Sequence, residues 1–149
     1  MIKQIIVETP ISILSINADG IGLMHFKDNI TMDILEQMKH YKGIIELTKN
    51  YPTPFVVTAG EHVVFTKEAK ENASLLEGRS PVCASAIVIS NLAYRLLADF
   101  FIKMQKPKIP YKTFTSEEKA VEWCKQFVVK ENTSRTSVTH KTFNPSINI

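Results

Sequence analysis

Four histidines, His25, His40, His62 and His140, and two cysteines, Cys83 and Cys124, are the side chains in this 149-residue chain best suited to metal binding or nucleophilic attack. Their spacing supports neither. No histidine stands in H-E-x-x-H or at a separation that would put two on one helix face. The cysteines lack C-x-x-C spacing, and each sits in an apolar run, "PVCASAIVI" and "AVEWCKQF". Both read as buried free thiols, and the histidines as structural or surface residues. No metal site is expected. G-x-S-x-G, G-x-x-x-x-G-K and G-x-G-x-x-G are all absent, and the five glycines stand singly. No nucleotide cofactor and no catalytic residue is therefore nominated.

One polar set offers recognition rather than catalysis. Arg95, Asp99 and Lys103 recur every four residues in "AYRLLADFFIKM", along a helix pattern that is otherwise apolar. That spacing makes one stripe, on which Asp99 can pair with either neighbour. As solvated ion pairs they are worth about 0.3–0.5 kcal/mol each. Alternatively they form a mouth for an anionic ligand or partner, continued by Lys106, Lys108 and Lys112. Glu117 and Glu118 fall in a helix first turn, where the dipole accounts for them.

The elements that must position these residues follow from pattern. "ISILSI" and "IGLMHF" flank "NADG", where Asp-Gly predicts a type I′ hairpin turn; "KQIIVE" can add an edge strand. A helix is expected from about Thr31 to the prolines of "NYPTP", with Gly43 weakening its middle. "FVVTAG" reads as a strand, "EHVVF" as a loop or brief extension, and 66–78 as a helix capped by Thr66 and stopped by Gly78. "PVCASAIVI" is a buried strand. Ser90 and Asn91 can cap a helix with Leu92, Leu96, Leu97, Phe100 and Phe101 on its apolar face. Pro107 and Pro110 break it before the strand "YKTF", and Ser116 caps the last helix. The predicted order is ββαβαβαβα, a small mixed sheet covered by helices. Residues 1–128 make one α/β domain, and 129–149, with 10 Ser, Thr or Asn, a polar and mobile tail.

Composition sets the wider limits. Apolar residues at 44% and charged residues at 22% are those of a globular protein. No apolar run approaches the ~20 residues of a bilayer span, and the N-terminus lacks a secretory pattern. A cytoplasmic protein without membrane insertion is expected. Residues 1–89 hold 8 Lys and Arg against 10 Asp and Glu, whereas 90–149 hold 10 against 5. This asymmetry favours an anionic partner but falls short of a nucleic-acid surface, since only Tyr111 interleaves the lysines of the 103–112 loop.

The run "AIVISNLAYRLLADFFIKMQKPKIPYKTFTSEEKAVEWCKQF", with the element order over Ile11 to Phe127, resembles the STAS-like superfamily of anti-sigma-factor antagonists and CRAL-TRIO lipid-binding proteins. It is most similar to small bacterial members of that type. The resemblance implies a STAS-like fold and a non-enzymatic regulatory domain acting through a protein partner. In antagonists a Ser or Thr opening the helix after a central strand is phosphorylated, and Thr66 in "VVFTKEAKENAS" is the positional match, with Phe65 where an Asp usually precedes. The N-cap role accounts for the same threonine. The alternative is a module for a small apolar or acidic ligand, with an apolar cleft and a basic rim of Arg95 or Lys103. A homodimer through the first hairpin's edge or the Phe100–Phe101 surface is a further expectation.

Overall fold

A computed structural model describes residues 5–90 and 108–129. Arg95, Asp99, Lys103 and Lys106, the apolar pattern from Leu92 to Met104, and all of the polar tail except Val129 lie outside the described residues.

The first hairpin forms as its alternation demands. Strands β1 (Ile6–Glu8), β2 (Ser12–Ile16) and β3 (Gly22–Phe26) run antiparallel, with Val7 opposite Leu14 and Leu14 opposite Met24. The turn differs from the expected type I′. The Asn17 side chain accepts the N–H groups of Asp19 at 2.8 Å and Ile21 at 3.0 Å. Only Gly20, at φ 86°, needs the left-handed region within this turn. An Asx turn thus satisfies amides that a two-residue turn would leave to water.

The next helix also starts later than its apolar spacing suggests. Asn29 takes φ 54° and redirects the chain. Ile30–Met32 becomes strand β4, parallel to β6 (Val63–Phe65) in a separate two-stranded sheet. Helix α1 (Ile34–Thr48) is capped by Asp33 in a capping box with Glu36, satisfying donors that the first turn otherwise leaves unpaired. Gly43, which propensity counts as a weakness, has a packing reason. A Cβ there would stand 2.8 Å from Thr9 Cγ2 and 3.1 Å from Leu14 Cδ1, so its absence lets α1 lie close on β1 and β2.

Beyond β3 the main sheet is parallel. β5 (Thr53–Ala59) pairs with β3, β7 (Val82–Val88) with β5, and β8 (Tyr111–Phe114) with β7. The order is β1-β2-β3-β5-β7-β8. Helix α2 (Lys67–Glu77), capped by Thr66 and ending at Gly78, joins β6 to β7. Helix α3 (Glu117–Cys124), capped by Ser116, follows β8 and runs into a 3₁₀ turn at Lys125–Phe127.

Strand alternation divides the interior in two. Leu14, Met24, Phe26 and Phe55 meet Ile44 and Leu47 of α1 and Ala69 of α2 in one core. Val56 and Ala86, from the other face, meet Ile21, Ala120 and Cys124 under α3. The chain is thus α/β, a mixed sheet with α1 and α2 on one face and α3 on the other. No described helix is long and apolar enough to cross a membrane.

Candidate functional site

Among the described residues, the face carrying α1 and α2 is incompletely filled. A cleft of about 630 Å³ lies there, floored by Met24, Phe26, Val57 and Ile87 and walled by His40 and Ile44 of α1 and Ala69 and Leu76 of α2. Ser90 and Ile109, which flank residues 91–107, both line it. A second recess, of about 210 Å³ beside Thr113 and Lys119, is far smaller.

Two clips hold α2 in place. Gln37, buried on α1, donates from Nε2 to the Ala69 carbonyl at 2.8 Å and accepts the Asn72 amide at 2.8 Å. At the other end of α2, Glu77 accepts the backbone N–H groups of Lys108 at 2.7 Å and Ile109 at 3.2 Å. Both clips satisfy groups that are costly to leave unpaired. Burial, with the nearby Glu77 charge adding to it, pushes the Tyr111 phenol at the cleft wall up to about 12. It stays neutral in any ordinary buffer.

His40 forms the polar point on the α1 side. Its Nδ1 lies 2.7 Å from Ser12 Oγ, and Ser12 Oγ lies 2.6 Å from Thr9 Oγ1. Ser12 is 0% exposed, so this serine cannot reach a substrate. The pair is a support, not a nucleophile with its base. The imidazole packs on Phe26 with ring centroids 5.2 Å apart. Burial lowers its pKa to about 4, because the charged ring would lose its hydration.

Of the residues nominated from sequence, Thr66, Lys108 and Lys112 are described. Thr66 is half-buried. It accepts the Ala69 N–H at 3.1 Å and donates to Asp33 Oδ1 at 2.9 Å. Its hydroxyl therefore joins the N-termini of α1 and α2. Lys108 is exposed and anchored through its backbone. Lys112 lies over the Phe114 ring, 5.5 Å from its centroid. The structure brings neither lysine to the cleft wall; among the described residues the cation lining it is Lys70 of α2.

Sequence reasoning missed His40, Ser12 and Gln37. A signal existed for the helix residues: Gln37, His40, Ile44 and Leu47 share helical spacing, which marks two polar side chains on a core-facing stripe. Nothing local ties His40 to Ser12. Both cysteines are free, Cys124 buried and Cys83 half-buried, with the Cys124 thiol pushed up to about 11 by burial.

No curated protein and no solved structure matches the chain. A family model described as "Domain of unknown function (DUF7793)" matches residues 14–128, from the second strand through the turn after α3. That span is most of the chain and holds the whole cleft wall, so the protein belongs to this family.

Proposed function

We propose that the protein is a non-enzymatic binding module of STAS/CRAL-TRIO-like type, bacterial and cytoplasmic, whose cleft takes a small apolar ligand. The observation that carries this reading is the 630 Å³ cleft, walled by Met, Phe, Ile and Val side chains and spanned by α2 between two polar clips. Pockets of this size with few, placed polar groups suit drug-sized molecules. The helix-covered mixed sheet supports the STAS-like assignment. The inaccessible Ser12 supports a binding rather than a hydrolytic role. Native mass spectrometry of freshly purified protein, with solvent extraction, should show a bound small molecule or uptake of an added apolar dye. Absence of both overturns the reading and leaves the cleft to the chain's own apolar residues.

A protein-partner reading has its own observation. Ile6 and Ile13, on the face opposite the cleft, are 60% and 40% exposed beside an edge of β1 that pairs with no other described strand. Exposed apolar edges invite strand addition. Sedimentation velocity should show a dimer or hetero-complex that Ile6→Lys disrupts; a monomer at all concentrations, with no partner captured, removes it.

A further inference from the structure

The α1 wall of the cleft holds a buried donor whose proton has no acceptor among the described residues. Hydroxyl directions in the Thr9–Ser12–His40 chain locate that proton. Thr9 Oγ1 receives the N–H groups of Ile11 at 3.3 Å and Ser12 at 3.0 Å, which occupies its lone pairs. Its own hydrogen must be donated. The Ser12 carbonyl is a poor acceptor for it at 3.4 Å and already takes the Thr9 N–H at 2.8 Å. Ser12 Oγ at 2.6 Å is the better one. Having accepted, Ser12 Oγ gives its hydrogen to His40 Nδ1 at 2.7 Å. Nδ1 is therefore an acceptor, and the neutral ring carries its proton on Nε2.

The other polar groups on this wall are engaged: Gln37 at both ends of its amide, and the Tyr41 hydroxyl on the Arg79 carbonyl at 3.2 Å. His40 is 7% exposed and lines the cleft, so water reaches it only through the cleft itself. A buried N–H without an acceptor is costly. Among the described residues the charges lining the cleft are Lys70 and Glu77, both from α2 and of opposite sign. A carboxylate set against His40 would be desolvated with one neutral donor to meet it.

We infer that His40 Nε2–H is the recognition point of the cleft, and that its ligand is an uncharged apolar molecule bearing one accepting oxygen, such as a long-chain ketone, ester or ether. This rests on the ligand-binding reading above. Burial supports it by keeping the ring neutral across the physiological range.

The test is displacement of the neutral dye N-phenyl-1-naphthylamine at pH 7 by 2-nonanone, nonanoate and 1-chlorooctane. The ketone should displace the dye at a concentration about five-fold lower than the chloroalkane, and lower than nonanoate. His40→Phe should bind dye but lose the ketone's advantage, and His40→Gln, which keeps an N–H, should retain part of it. In the wild type, nitrogen-15 spectra should show the Nε2-protonated tautomer, with its signal moved by the ketone and not by the chloroalkane. These spectra decide the matter alone if the variants do not fold. A ketone advantage that survives in His40→Phe, or an Nδ1-protonated ring, overturns the role of His40 while leaving the cleft a binding site. Stronger displacement by nonanoate overturns the uncharged class. A dye that never binds the wild type overturns the ligand reading itself.

Discussion

The two faces of the sheet are built from opposite materials. Under α3, the contact is made by Ala86 and Ala120, each 0% exposed, with Ile21, Cys124 and Val56. Small side chains let helix and strands approach closely, as close-packed interiors require. Under α1 and α2 the side chains are larger, and among the described residues a cleft lies beside α2, which two polar clips position. Gln37 fixes it to α1, and Glu77 fixes it to the approach to β8. Small residues pack one face, and among the described residues hydrogen bonds position the helix that lines the cleft on the other.

The contrast can be broken first by acid. His40 on the open face has its pKa lowered from 6.5 to about 4, so the unfolded chain takes up a proton there before the folded one does. Its contribution is complete above pH 6.5 and is lost as pH falls toward 4. The loss is on the order of 3 kcal/mol. Urea titrations across this range should show it in the wild type and a flatter dependence in His40→Gln. The Cys124 thiol of the closed face, near 11, takes no part in that window.

Two substitutions compare the faces directly. Gln37→Leu leaves the Ala69 carbonyl and Asn72 amide without their partner, and should cost about 1–3 kcal/mol in chemical denaturation while changing dye affinity. Ala86→Leu forces a larger side chain under α3 and should cost a similar ~1–3 kcal/mol, with dye affinity unchanged. One residue further along, Ile87→Leu faces the cleft and should cost less than about 1 kcal/mol, because there is room to repack. If Ala86 and Ile87 respond alike, the difference between the faces is not one of packing.

Between the two faces, at the shared start of α1 and α2, Asp33→Ala should cost about 1 kcal/mol through the lost cap and should free the Thr66 hydroxyl. Accelerated amide exchange at the first turn of α1 would register it.

The local chemistry of the fold was legible before the structure. Thr66 and Ser116 as caps, Gly78 as a stop, and the first hairpin follow from residues within a few positions of one another. The failures share a cause. Strands β4 and β6 are three residues each and exist because they pair across 33 positions, which no window of sequence displays. Thr31 and Met32 carried helical spacing, but the left-handed Asn29 and the ladder to Val64 and Phe65 overrode it. The site was less legible still. Attention went to charged residues, whose attraction is visible in composition, whereas the wall is made by Gln37 and His40, polar residues in an apolar stripe. Their partners, Ala69 and Ser12, lie 32 and 28 positions away.

The two clips on α2 have a consequence for size. Gln37 grips the helix at Ala69, and Glu77 grips the approach to β8, so the stretch between them is a strut fixed at both ends. At helical rise those eight steps measure ~12 Å. A rigid helix therefore sets one dimension of the cleft, and inserting or deleting a turn of α2 would rescale it.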